Sequence, residues 1–279
     1  MSLKTLIATE IALSGPMGVD RFMSLALGHP EYGYYLRQDP FGRLGDFTTA
    51  PEISQMFGEL VGLALAQVWL DQGAPSSFTL LELGPGRGTL MADLLRATRG
   101  VPGFHKAADL VMLESSPVLR AAQHDKLGAY EVTHIADLTD LKQQPLFCVA
   151  NEFFDALPIR QFVRQETGWS ERQIGVEGGA LMWGLSPPLH IETLAHRVKA
   201  TRTGDIVETC TPASGFVLPV ADRITGSGGA ALFIDYGEWQ SLGDTLQALS
   251  NHAPVNPLAN PGSADLPAHV DFEALVRGL

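Results

Sequence analysis

The run Leu80-Leu81-Glu82-Leu83-Gly84-Pro85-Gly86-Arg87-Gly88-Thr89-Leu90 constrains this chain more than any other part of it. An apolar strand pattern ends in an acid, a glycine turn follows, and a helical pattern begins with Met91, Leu94 and Leu95 on one face. A strand that runs through a glycine turn directly into a helix opens a βαβ unit, which commits the chain to a parallel sheet with crossover helices. The following residues repeat the alternation. Strands are expected at 78–83, 109–114, 129–135, 145–150 and 230–235, with helices at 88–98, 117–125 and 213–225. Pro219 should kink or interrupt the last helix, because its ring removes a hydrogen bond and crowds the preceding turn.

Before this alternation, residues 3–13 and 19–27 have helical spacing on either side of the breaker Ser14-Gly15-Pro16, and 52–70 reads as one amphipathic helix. The glycine- and aromatic-rich run His29 to Tyr35 is followed by Gly42 to Pro51, too irregular for either period, which reads as a long ordered loop or a loop carrying function. Between the fourth and fifth strands, Phe162–Arg164, Arg172–Val176 and Ala180–Trp183 are separated by Thr167-Gly168 and Gly178-Gly179, the pattern of a β meander at about 160–203. After residue 235 no principal strand is expected, and only 244–249 and 271–277 look helical. The expected organisation is an N-terminal helical and loop extension (1–77) packed on an α/β domain (78–279) that carries the inserted meander.

Composition narrows the partners. The net charge is −12, and after residue 203 nine acids stand against two basic residues, so a phosphate backbone or an anionic membrane is repelled and a cationic partner is favoured. Cys148 and Cys210 are far apart with no CxxC, which suggests neither a disulfide framework nor a zinc site. The N-terminus lacks the features of a secretory signal, and the apolar stretch Val61–Leu70 is too short to span a bilayer. A soluble, cytoplasmic protein is expected.

The glycines of the turn let a ligand approach backbone that a side chain would block. The spacing is GxGxG with Thr89 after it, whereas a dinucleotide fingerprint requires GxGxxG, and Glu82 just before the turn suits a cationic ligand better than a diphosphate. Glu114, ending the second strand, either accepts both hydroxyls of a ribose or caps the helix that starts at Pro117. Asp137, after the third strand, is an adenine partner or a plain turn acid. Asn151-Glu152-Phe153-Phe154-Asp155 at the end of the fourth strand forms a rim whose acids can hold a cation, unless the two rings are simply core.

Several longer motifs occur in order with these: Gly15-Pro16-Met17, His29 to Tyr35, Gly45-Asp46-Phe47-Thr48-Thr49-Ala50-Pro51-Glu52-Ile53-Ser54, Asn151 to Pro158, Ile234-Asp235-Tyr236-Gly237 and Ala268-His269-Val270-Asp271-Phe272. Together with the glycine turn they resemble the MidA family of class I methyltransferases dependent on S-adenosyl-L-methionine (SAM), whose mitochondrial members are complex I assembly arginine methyltransferases. The resemblance implies a Rossmann-like sheet and methyl transfer to an arginine of the 49-kDa-type subunit of respiratory complex I. It implies that Gly84, Gly86 and Gly88 lie under the methionyl part of SAM, with Glu82 and Asn151 also on the cofactor. Glu114 is then the ribose ligand and Asp137 the adenine ligand. Glu152 and Asp155 face the substrate arginine, His269 is a candidate proton acceptor, and the loop Asp46–Ser54 closes over the cofactor. Family members have a longer chain with two further strands, so this one is expected to be a truncated form whose sheet edge is exposed. A SAM-binding assembly factor without catalysis is the competing function, and Thr89 counts against a nicotinamide-dependent oxidoreductase.

Overall fold

The computed structural model describes residues 2–37, 49–250 and 253–277. In chain order the elements are α1 (Leu3–Ser14), β1 (Met17–Gly18), α2 (Val19–Gly28), α3 (Tyr34–Arg37), α4 (Ala50–Ile53), α5 (Gln55–Asp71), β2 (Phe78–Leu83), α6 (Thr89–Thr98) and α7 (Phe104–Ala107). They continue with β3 (Ala108–Leu113), α8 (Pro117–Leu127), β4 (Val132–Ile135), β5 (Leu146–Asn151), β6 (Arg160–Arg164), β7 (Trp169–Glu177), β8 (Ala180–Leu185) and β9 (Ile206–Thr209). Last come α9 (Thr211–Ser227), β10 (Gly229–Ile234), β11 (Gly237–Glu238), β12 (Leu249–Ser250), β13 (Ala253–Pro254), β14 (Val270–Asp271) and α10 (Phe272–Val276). Two compact units share them. One gathers Met1–Gln38, Phe154–Ser214 and Tyr236–Gly278, and the other Asp39–Phe153 with Gly215–Asp235. This division cuts across the boundary expected at residue 77.

The second unit holds the parallel sheet, in the order β10-β5-β2-β3-β4 with every pairing parallel. The chain enters at the centre, works outward to β4, then crosses back to β5, so the strand order reverses between β2 and β5. A ligand crevice in such a sheet lies at that reversal, beyond the carboxyl ends of the strands. All six residues of β2 are buried, as a central strand covered on both faces requires. Phe78, Phe104, Phe147 and Trp69 meet there with ring centroids 5.0–5.9 Å apart. Helix α5 packs on α6 at Gly62, where a Cβ would lie 2.7–3.0 Å from Leu94.

The first unit builds an antiparallel sheet in the order β1-β7-β6-β9, with β8 also paired to β7. Its core joins Leu3, Ile7, Phe22 and Met23 of α1 and α2 to Ile159, Ile174 and Leu266. The expected meander is present, and β9 extends it beyond residue 203.

Three local expectations need correction. The helix expected over 52–70 is broken at Ser54, whose extended backbone (φ −140°, ψ 114°) separates α4 from α5. Helix α9 runs through Pro219 without interruption. The 244–249 segment is not helical, because long-range partners hold it: Asp244 accepts from Gln161 and Arg172, Thr245 N–H donates to Glu208 at 3.1 Å, and Gln247 N–H donates to the Pro267 carbonyl at 2.9 Å. Beyond residue 235 the described strands have two residues each, and α10 forms with Asp271 as its cap.

Candidate active site

The glycine turn leaves β2 with Gly84, Gly86 and Gly88 all at positive φ, between 50° and 77°. Gly84 is doubly constrained: its φ is +60°, and a Cβ there would sit 2.7 Å from the Phe153 ring. Phe153 is fixed in turn by its N–H, which donates to Asp235 at 3.1 Å, and by an edge contact with Phe216. Asp235 thus supports the turn from the end of β10. Thr89, the first residue of α6, has its hydroxyl between the Glu52 carboxylate and the Lys126 ammonium.

Beneath the turn, Glu82 is 3% exposed. Burial raises its carboxyl to about 8 against a weaker opposing hydrogen bond from the Met91 N–H, and its Oε2 has no hydrogen-bond partner. At the level of Leu83, β3 and β5 also end, since Leu83 is paired with Leu113 and Ala150. Glu114 and Glu152 therefore flank the turn, one strand away on either side. Glu114 is buried and accepts the Ser116 N–H at 2.7 Å, so it does help to cap α8; burial raises its carboxyl, opposed by hydrogen bonds from Ser116 and Ser115.

Glu152 has φ +49°, a left-handed backbone that a side chain rarely adopts and that is held here by its N–H donating to the Ile234 carbonyl at 2.9 Å. Its carboxylate accepts the Ala50 N–H at 3.3 Å and the Asn151 amide at 3.2 Å. Glu152 and Glu52 together therefore bind α4 to the site. Asp46, Phe47 and Thr48 of the expected closing loop lie outside the described residues.

Asp137 is exposed, and its carboxylate, lowered mainly by the Thr139 N–H it accepts at 2.7 Å, starts a short 3-10 turn. Asp155 and His269 belong to the other unit. There the Ala268 N–H donates to the Asp155 carbonyl at 2.9 Å, one residue before His269; His269 itself is exposed, with its N–H on Thr245 at 2.8 Å. The Asp155 charge also acts on Tyr35, whose hydroxyl donates to Asp265 at 2.7 Å.

Gln123 escaped the sequence reading. It is fully buried on α8, donates to the Gly86 carbonyl at 2.6 Å and pairs with His134 Nε2 at 2.7 Å. Burial, then the charges of Arg120 and His124, lowers the His134 imidazole, so at neutral pH it is uncharged and carries its proton on Nε2 toward the Gln123 oxygen. The sequence did hold a signal: Leu119, Gln123 and Leu127 share one helical face, and only the middle one is polar. Gln123→Leu is expected to cost about 2 kcal/mol of stability, because it leaves the Gly86 carbonyl and His134 unpartnered, and to weaken cofactor binding about tenfold. A melting curve and a titration of the variant check both.

A family model described as "Putative S-adenosyl-L-methionine-dependent methyltransferase" matches residues 60–278. The chain belongs to this family. The methyltransferase is 35% identical to the mitochondrial protein arginine methyltransferase NDUFAF7 of Xenopus tropicalis over 96% of its own length and 68% of that protein. It is 36% identical to the Danio rerio protein of the same name, over 96% of this chain and 70% of the relative. A crystal structure of a COG1565 superfamily member from Burkholderia thailandensis, bound to S-adenosyl-homocysteine, superposes with a TM-score of 0.83 at 30% identity, covering 99% of this chain and 75% of the other. The chain is thus a Rossmann-like methyltransferase of the MidA type with SAM as its cofactor.

The residues present fit a sulfonium cofactor. The turn runs through three glycines at positive φ, and the buried Oε2 of Glu82 beside it lacks a partner, as a carboxyl awaiting a cation does. Among the described residues no helix is long and apolar enough to cross a membrane.

Proposed function

We propose that this methyltransferase modifies an arginine guanidinium nitrogen in a protein, and that the protein is the 49-kDa-type subunit of respiratory complex I or its bacterial counterpart during assembly. The observation that carries the reading is Glu152: a carboxylate held in a strained conformation one strand from the glycine turn, at the switch point of the sheet. Relatives covering nearly all of this chain bear the name protein arginine methyltransferase.

In this reading Gly84, Gly86 and Gly88 pass under the methionyl part of the cofactor, with Glu82 beneath them as the counter-charge and Asn151 at the border. Glu114 takes the ribose hydroxyls and Asp137 the adenine amino group. SAM supplies an activated methyl on a good leaving group, so the chain has to align and desolvate rather than activate. Full deprotonation of a free arginine at pH 7 costs roughly 9 kcal/mol, which argues that the proton leaves during or after transfer. Glu152 and Asp155 orient the guanidinium. As the nitrogen–methyl bond forms and the sulfur–methyl bond breaks, the released proton passes to one of these carboxylates or to His269.

Glu152→Gln keeps the acceptor for Ala50 and removes the charge. Turnover of the variant should fall about 10- to 100-fold, the worth of a charged hydrogen bond, while SAM affinity stays within about threefold. Full turnover at normal SAM affinity would exclude Glu152 from this role. Mass spectrometry of the complex I subunit from cells with and without the gene tests the function itself. Loss of methyl groups from an arginine supports it, and an unchanged methylation state favours an assembly factor that binds SAM without catalysis.

A further inference from the structure

Helix α5 belongs to the unit that holds the parallel sheet, and its two faces differ. Val61, Leu65, Ala66 and Trp69 are buried, and Gly58 and Gly62 let α6 approach so closely that a Cβ at either would lie 2.7 Å from Asp93 or Leu94. The opposite face carries Met56, Leu60, Leu63 and Leu70, which are 63%, 59%, 45% and 43% exposed, with exposed Gln67 completing the row. The steps between these positions are four, three, four and three residues, the spacing of a coiled-coil seam rather than of scattered surface side chains.

Charge selects the occupant of this face. Among the exposed residues of α5 the one charge is Asp71, at the C-terminal end. Glu59 is half-buried and held by Arg96 at 3.1 Å, while the amides of Gln55 and Gln67 donate to Glu59 and Asp71 of their own helix at 2.9 and 2.8 Å. The whole chain carries a net charge of −12, so two copies repel each other over most of their surface, and this row is a strip along which they can meet without opposing acids. A membrane surface is a poorer occupant, because α5 has no lysine or arginine to flank the stripe. The four apolar side chains leave roughly 400 Å² exposed per copy, and with the residues between them a helix pair of this length buries about 1,000 Å² over both copies, enough for a specific interface of micromolar strength.

We propose that the outer face of α5 binds the same face of a second copy of this chain, forming a twofold dimer whose two helices run antiparallel. The proposal is independent of the substrate reading above. The axis lies between Leu60 and Leu63, so that Leu60 of one copy packs on Leu63 of the other and Met56 packs on the stem of Gln67. Leu70 then reaches the start of the facing helix, beside Ile53, which is 72% exposed. This direction sets Asp71 at the positive end of the facing helix dipole, whereas a parallel pair would bring the two Asp71 carboxylates together.

Sedimentation equilibrium of the full chain at about 50 µM should give a mass near twice 30.0 kDa, and its melting temperature should rise with concentration, as a dimer of micromolar affinity requires. Leu60→Glu and Leu63→Lys each place an uncompensated charge in the seam and should weaken association at least 100-fold, giving monomers that keep the circular dichroism and SAM affinity of the parent. An equimolar mixture of the two variants should regain dimers, because the introduced charges then face each other across the axis. A parent that is monomeric at this concentration, or variants that both remain dimers, overturns the proposal; a monomeric parent that sediments with phosphatidylcholine vesicles assigns the stripe to a membrane instead. Variants that stay monomeric when mixed overturn the antiparallel pairing. If one variant loses its circular dichroism, the mass of the other and the concentration dependence of the parent decide.

Discussion

Gly84→Ala should leave a protein that folds with difficulty and no longer binds SAM usefully. Two costs meet at this position. The backbone is left-handed at φ +60°, which a Cβ destabilises by about 1–2 kcal/mol, and the new methyl would lie 2.7 Å from the Phe153 ring. The ring is pinned by its own backbone bond to Asp235 and by Phe216, so relief of the overlap has to move the rim, at about 1–3 kcal/mol. The sum, about 2–5 kcal/mol, corresponds to a fall in melting temperature of roughly 5–15 °C for a chain of this size. SAM affinity should drop at least 30-fold, since about 2 kcal/mol of displacement falls on the surface that receives the cofactor. Calorimetric titration and a melting curve measure both; an unaltered affinity would show that the methionyl group does not rest on this turn.

Glu82→Gln should have the opposite effect on stability and a similar one on binding. In the free protein the Glu82 carboxyl is raised to about 8, from a value of 4.5 in an unfolded chain. Between these two values the native state holds a proton that the unfolded state has lost, so its stability declines as pH rises from about 4.5 to about 8. At pH 7 the accumulated penalty is about 3 kcal/mol, and glutamine, always neutral, avoids it. The variant should therefore melt higher than the parent above about pH 6, and the difference should widen up to about pH 8.

Binding shows the counterpart. A cation placed over the unpartnered Oε2 favours the carboxylate, so SAM should expel a proton near neutral pH and bind more tightly as pH rises toward 8. The variant should lose this dependence and about 10- to 100-fold in affinity. The neighbouring Cys148 does not share the titration, because burial and then the Glu82 charge push its thiol well above the neutral range. Titrations in buffers of different ionisation enthalpy count the protons released. A count of zero for the parent would mean that Glu82 does not face the cofactor's charge.

Local sequence was most informative where one strand or helix decides the outcome. The five parallel strands, the turn and the acids Glu82, Glu114 and Glu152 were legible because each sits at the end of an apolar run whose period gives its direction. The helix expected at 244–249 failed for the converse reason. Its apolar spacing is real, but Asp244, Thr245 and Gln247 find partners in distant strands and loops, and those bonds outweigh a short helix. Ser54 breaks the expected long helix at the point where α4 is held by Glu152, about a hundred residues away.

By itself the sequence determined the parallel sheet, the glycine turn and the presence of an acid at or just beyond the last residues of each inner strand, because periodicity and turn chemistry are local properties. Only the tertiary structure decided that Gly84 must lack a side chain against Phe153, that Gln123 ties the turn to His134, and that the chain's ends and insertion share a unit apart from the sheet. These depend on which distant residues come within a few ångströms of one another, and no period in the chain encodes that distance.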